Sequence, residues 1–227
     1  MNATPTLDAL LQQNPVFGLL DPEDRAALVR AARPLTLDKG APLCHQGEVW
    51  PRAALLASGA AQWSLVSPAG RRQVVFRLAA GDAIWGHSLF DDQPMPATLE
   101  VIAPARVFWW PREEIMPVLS RRVEAVWAVT REMVGWMRRV REVIYSLAFH
   151  SVAHRVARVL LEHYPPCEGR PVPRHLTLDE MAAMVGTSRE FVSRVLQRLA
   201  REGVLQVRRR HLVFIDRQRL EQLAQGG

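Results

Sequence analysis

Two helix-start signals lie ten residues apart toward the C-terminal end of this 227-residue chain, with one glycine between them. Thr177-Leu178-Asp179-Glu180 has the form of a capping box, in which a hydroxyl and a carboxylate three residues on satisfy the first free amides of a helix. Thr187-Ser188-Arg189-Glu190 repeats the pattern. The first helix is expected to run through Val185 and stop at Gly186, and the second to open at once. Helix, four-residue turn and helix restrict this part of the fold to a helix-turn-helix.

On the second helix Val192, Val195, Leu196 and Leu199 share an inward face. That leaves Thr187, Ser188, Arg189, Glu190, Ser193, Arg194 and Gln197 outward, residue types that can address base edges in a major groove: Arg both acceptors of guanine, Glu a cytosine amino group. For any one of them, a solvated charged face is the plainer reading. Gly203 closes the helix, and the strands Val204–Val207 and His211–Ile215 flank Arg208-Arg209-Arg210, a basic wing suited to phosphate or minor-groove contact. Charge agrees: residues 150–227 carry 13 Arg against 8 Asp or Glu, net +5, whereas residues 1–149 are nearly neutral at +1. A basic module on a neutral body fits a polyanion partner.

Upstream the texture differs. Asp21-Pro22 opens a short helix that ends near Pro34, and from Leu35 to Pro111 the chain shows β-prone runs, including Ala54–Leu56, Gln62–Val66 and Gln73–Phe76. Gly40, Gly47, Gly59, Gly70 and Gly81 punctuate them at intervals of 7 to 12 residues, the rhythm of an antiparallel roll with tight turns. From Arg112 the period becomes helical. Leu119, Val123, Val126, Thr130, Met133, Met137, Val140, Ile144 and Leu147 alternate steps of four and three, a heptad seam expected to pair two copies of the chain. Trp127, Val134 and Trp136 widen the apolar face, as a helix packed on its own domain would require. A helix from about Ser151 to His163 and an exposed proline-rich loop (Pro165, Pro166, Pro171, Pro173) lead into the helix pair.

The stretch Val185-Gly186-Thr187-Ser188-Arg189-Glu190-Phe191-Val192-Ser193-Arg194-Val195-Leu196 resembles the recognition element of the CRP/FNR regulators. Leu37-Asp38-Lys39-Gly40, Gln46-Gly47-Glu48, Ser58-Gly59 and Ala80-Gly81-Asp82 resemble turns of that family's cyclic-nucleotide-binding β-roll. The resemblance implies an α+β chain with a β-roll sensor domain over 1–111, a dimerisation helix region over 112–149 and a winged helix-turn-helix over 150–227. It also implies a cytoplasmic, homodimeric transcription regulator, an activator that binds a palindromic promoter with a TGA-like core in each half and contacts RNA polymerase, with the loop 165–174 in the contact region. Arg189, Glu190 and Arg194 match the base-reading trio and Ser193 the serine of the FNR branch, whereas Phe191 replaces the usual threonine.

The sensor half departs from the family's ligand chemistry. In the stretch matching the phosphate-binding cassette, Gly86 stands for the expected glutamate and Met95-Pro96 for the Arg-Ser pair; Val140-Arg141 replaces the Thr-Ser pair that meets adenine. Control by cyclic AMP is therefore not expected. Two cysteines, Cys44 and Cys167, are too few for a four-cysteine iron–sulfur cluster. His87, beside Trp85, resembles the haem-ligand histidine of the family's carbon monoxide sensor, and Cys44-His45 is a second candidate pair. A haem-based gas or redox sensor is thus one alternative, with Trp85, His87, Met95, Val140 and Arg141 as the candidate effector pocket; otherwise no cofactor is expected. Trp50, Trp63, Trp85, Trp109 and Trp110 suit either a ligand pocket or core packing. A non-DNA-binding cyclic-nucleotide-type interaction module is the other alternative. No GxGxxG, Walker, HExxH or GxSxG motif supports an enzyme, no apolar run reaches membrane-span length, and Met1–Pro5 carries no signal-peptide pattern.

Overall fold

The computed structural model describes residues 5–165 and 167–225; the readings made at Met1–Thr4 and at Pro166 lie outside them. The chain forms two compact units, Met1–Leu65 with Val75–Arg139, and Val66–Val74 with Val140–Gly227.

The first unit opens with α1 (Leu7–Gln13), which the sequence did not announce, a 3-10 turn at Phe17–Leu19, and α2 (Pro22–Ala31). Pro22 takes the first helical position as expected, but Asp21 makes no capping bond; its carboxylate instead accepts from Arg122 Nε at 3.0 Å. Six antiparallel strands follow: β1 (Arg33–Leu37), β2 (Pro42–Cys44), β3 (Arg52–Val66), β4 (Arg72–Ala79), β5 (Ala83–Trp85) and β6 (Thr98–Pro111). Their order is β1-β6-β3-β4, with β2 also on β6 and β5 also on β3. The separate runs Ala54–Leu56 and Gln62–Val66 are one strand, bent where the register against β6 slips between Leu56 and Ala61. Gly59 sits in that bend at φ 85°, and a Cβ there would lie 2.3 Å from the Pro104 carbonyl oxygen, so no other residue fits without displacing backbone. The other four punctuating glycines also have positive φ.

Alternation along β3 splits its side chains between two cores. Leu55 joins Leu11, Phe17, Leu28, Trp85, Trp110, Ile115 and Val129 on the helical side; Leu56 joins Trp50, Trp63, Ile84, Met95, Leu99 and Val107 inside the roll. Four of the five tryptophans named above are therefore core residues, 0–5% exposed, and Trp109 lies half-buried with the Arg52 guanidinium 4.3 Å over its ring.

The seam is not one helix. α4 (Arg112–Ser120) ends before α5 (Val123–Phe149), and Leu119, 2% exposed, belongs to the roll's core. Arg121 bonds Asp24 at 2.6 Å and Arg122 bonds Asp21, both at α2, which anchors the break. The seam thus begins at Val123. Along α5, Ala125, Ala128 and Val129 are buried, while Val123, Val126, Trp127, Thr130, Val134, Met137, Val140, Ile144 and Leu147 are exposed. Met133 and Trp136 turn partly toward the core.

In the second unit, α6 (Val152–His163), α7 (Leu178–Val185), α8 (Arg189–Arg201) and α9 (Arg217–Gln225) enclose a core of Val156, Leu160, Val192, Leu196, Leu199, Phe214 and Leu220. The sheet has three strands rather than two: β7 (Pro171–Pro173) pairs β9 (His211–Phe214), which pairs β8 (Leu205–Val207). Part of the proline-rich loop is thus an edge strand, a position that tolerates proline, with Val172 buried. Helix α9 was also not foreseen.

Candidate nucleic-acid interface and effector cleft

Thr177 caps α7 through the full box: its Oγ1 accepts from Glu180 N–H at 3.1 Å, and Glu180 Oε2 accepts from Thr177 N–H at 2.8 Å. Gly186 closes α7 at φ 71°. The second cap is Ser188, not Thr187; its hydroxyl accepts from Phe191 N–H at 3.4 Å, so Glu190 stands one place too early to complete a box. Arg155 secures the turn from behind: Nε donates to the Val185 carbonyl at 2.7 Å and Nη1 to the His150 carbonyl at 2.6 Å. Those carbonyls end α7 and α5, where an arginine satisfies groups that a helix leaves unpaired.

With Val192, Leu196 and Leu199 buried, Arg189, Glu190, Arg194 and Gln197 are exposed on one helix, and Thr187, Ser188 and Ser193 are half-buried beside them. Arg189 reaches Asp179 at 3.3 Å, an exposed pair that costs little to trade for another acceptor. A hydrogen bond from Ser188, helped by its own backbone amide and by Arg189 and Arg194, holds the Glu190 carboxyl below the usual range, so it is an acceptor at neutral pH. Arg208, Arg209 and Arg210 form the exposed tip between β8 and β9, as expected. The sequence reading missed Arg174 and Arg201. Both line an open cleft of about 610 Å³ with Ser193, Gln197, Leu178 and Val207; Arg174 is brought there by β7, the strand that went unread, and its amide bonds the Arg210 carbonyl at 2.9 Å.

Trp85 and Met95 are buried in different cores, Val140 and Arg141 are exposed on α5, and His87 is half-buried at the start of α3 (Ser88–Asp91), with burial lowering its pKa. A cleft of about 160 Å³ is lined by Leu78, Asp82, Ala83, Glu132, Gly135, Trp136 and Arg139. Trp85 Nε1 donates to Glu132 Oε2 at 2.6 Å, and burial pushes the Glu132 carboxyl up against that bond. Its sequence signal was an acid in line with Ala125, Ala128 and Val129, the inward face of α5. Cys44 is 1% exposed and burial pushes its thiol up to about 12, so it carries no thiolate at neutral pH. Among the described residues no group of three His, Cys, Asp or Glu is placed to hold a metal ion, and no helix is long and apolar enough to cross a membrane.

Comparison with known proteins fits both halves. Residues 34–122 match the family model of the cyclic nucleotide-binding domain and residues 154–223 that of the Crp-like helix-turn-helix domain. A CRP-like cAMP-activated global transcriptional regulator of Mycobacterium tuberculosis is 26% identical over 223 residues, covering 96% of this chain and 100% of the relative. The cyclic AMP receptor protein of Thermus thermophilus is 28% identical over 200 residues, 87% of this chain and 90% of the relative. A crp/fnr-family transcriptional regulator from Eubacterium rectale shares the fold with a TM-score of 0.79 at 20% identity, covering 93% and 98% of the two chains. With the relatives being regulators and not enzymes, and with the fold, the capped helix pair and the basic wing all in place, this chain is a DNA-binding transcription regulator of the CRP/FNR family.

Proposed function

We propose that the chain acts as a homodimer that reads a palindromic promoter site, with Arg189, Glu190 and Arg194 facing base edges and the wing arginines and Arg174 and Arg201 facing phosphates. The observation that carries this reading is the exposed apolar stripe from Val123 to Leu147 on the same chain as a polar reading helix, since a stripe of that length is costly to leave in water. Pairing two stripes presents two reading helices, and two-fold symmetry in the protein calls for two-fold symmetry in the site. We place the RNA polymerase contact in the exposed turn Glu168–Arg170.

The Mycobacterium tuberculosis relative is cAMP-activated and the Thermus thermophilus relative is a cyclic AMP receptor protein, but this roll is proposed to respond to something else, or to nothing. A glutamate at position 86 has no room: a Cβ there would meet the Trp50 carbonyl oxygen at 2.4 Å and its ring at 2.6 Å. Met95 is packed in the roll's core where the resemblance puts the arginine that holds the phosphate, and the cleft of about 160 Å³ is below the roughly 300 Å³ at which small-molecule pockets begin. His87 is not among the residues that line this cleft, and the two cysteines are too few for a four-cysteine cluster, so neither haem nor a cluster is part of the proposal. Selection from a random duplex library, followed by binding to the full palindrome and to one half-site, tests the reading. Retained palindromes bound by dimers support it; equal affinity for random duplex refutes it. Tryptophan fluorescence unchanged by millimolar cAMP is the expected companion result, and saturable quenching refutes the ligand assignment.

A further inference from the structure

Phe191 is 48% exposed in the middle of the reading face, between Glu190 and the buried Val192, where its exposed neighbours Arg189, Glu190, Arg194 and Gln197 are all polar. It is not idle. The Arg194 guanidinium lies 3.9 Å over its ring, one turn along α8, and the Ser188 cap fixes its amide. A planar cation on an aromatic face can keep its N–H edge free, so the stack restrains Arg194 without using up its donor fork. The ring's remaining surface is apolar and open to whatever α8 docks on.

We propose that Phe191 and Arg194 form a two-base reader in which Arg194 takes a guanine and Phe191 packs on the C5-methyl group of a thymine in the adjacent base pair. The inference rests on the assignment of α8 as the reading helix and deepens it. Two facts select the partner. Base edges in the major groove present donors, acceptors and a single apolar substituent, the thymine methyl, so an exposed ring on a reading helix has one complementary target. The spacing also agrees: ring and guanidinium are stacked 3.9 Å apart, close to the rise of about 3.4 Å between successive base pairs.

The test uses deoxyuridine, which differs from thymidine only by that methyl group. Starting from a duplex selected by the full-length protein, each thymine is replaced by deoxyuridine in turn and affinity is measured for wild type, Phe191→Ala and Arg194→Ala, with circular dichroism verifying the fold. At one position per half-site, beside the guanine whose replacement Arg194→Ala no longer senses, wild type is expected to lose roughly fourfold, the effect of withdrawing one buried methyl. Phe191→Ala is expected to bind both duplexes alike while still discriminating that guanine. Sequence-selective binding that ignores every deoxyuridine, a selected site with no adjacent thymine, or an undiminished deoxyuridine effect in Phe191→Ala overturns this inference and leaves the reading helix standing. Failure of wild type to select any sequence overturns both.

Discussion

Ile144 is 61% exposed on the single chain and sits at the centre of the distal half of the α5 stripe. The variant Ile144→Ala removes three carbons, about 2.4 kcal/mol if each is fully buried at about 0.8 kcal/mol per methylene. In a two-fold interface every substitution counts twice. Allowing for a rim position that buries half to all of the side chain, the dimer loses about 2.5–5 kcal/mol, and its dissociation constant rises roughly 60- to 4,000-fold. Sedimentation velocity across a dilution series measures this directly. Arg131→Ala, exposed and outside the stripe, is the control and is expected to change dimerisation by less than about threefold. Because Ile144 contacts solvent in the monomer, the secondary structure and monomer melting should be unaltered. A dimer constant that shifts less than about threefold for Ile144→Ala, with the fold intact, refutes the pairing of these stripes.

Three more outcomes follow from the geometry. Glu132→Gln retains an acceptor for Trp85 Nε1 and deletes a buried charge. Burial raises the folded-state pKa of Glu132, so the native form favours the proton and wild type loses stability as pH rises above the unfolded value. The variant should therefore melt higher than wild type at pH 7, with the gap closing near pH 4; a gap equal at both pH values would count against a charged Glu132. Arg155→Ala strips bonds to the Val185 and His150 carbonyls and should cost about 2–3 kcal/mol in urea unfolding, with Arg155→Lys rescuing little because one ammonium cannot span both; a loss below about 0.5 kcal/mol would contradict the clamp. Replacing Arg174 and Arg201 together by Ala should weaken DNA binding equally for all sequences and lower the salt slope by about 1–2; an unchanged slope removes them from the phosphate contacts.

The DNA-reading helix was legible because its signals are local: a box at Thr177, a glycine at 186 and an apolar face at Val192, Leu196 and Leu199 need no distant partner to be read. The cap shifted by one residue because Thr187 and Ser188 are both competent, and only the backbone path decides between them. Long-range features were harder. Pro171–Pro173 reads as loop from its prolines and becomes a strand through pairing with His211–Val213, and Leu119 fits a heptad by spacing but is claimed by the roll once Arg121 and Arg122 tie the α4–α5 break to α2. The cleft around Glu132 was invisible for the same reason: its walls come from β4, β5 and α5.

Similarity over the whole length and similarity at the ligand are separate quantities. A relative 26% identical across 96% of this chain fixes the scaffold, because a fold is specified by many positions, each contributing a little. A ligand is held by a handful of side chains, each contributing much, and their loss scarcely changes an identity taken over 223 residues. On the proposed reading the losses are correlated. Gly86 does more than omit a carboxylate: the close approach of Trp50 fills the space a carboxylate would need. Met95 likewise replaces a cation with a side chain 1% exposed in the roll's core. Trp85 is buried and spends its indole N–H on Glu132. On the proposed reading, restoring Gly86→Glu alone is expected to lower stability, because its Cβ would meet the Trp50 carbonyl oxygen at 2.4 Å, and not to recover cAMP binding. Detectable cAMP binding by that single variant, with an unaltered melting temperature, would show that the pocket had been retained.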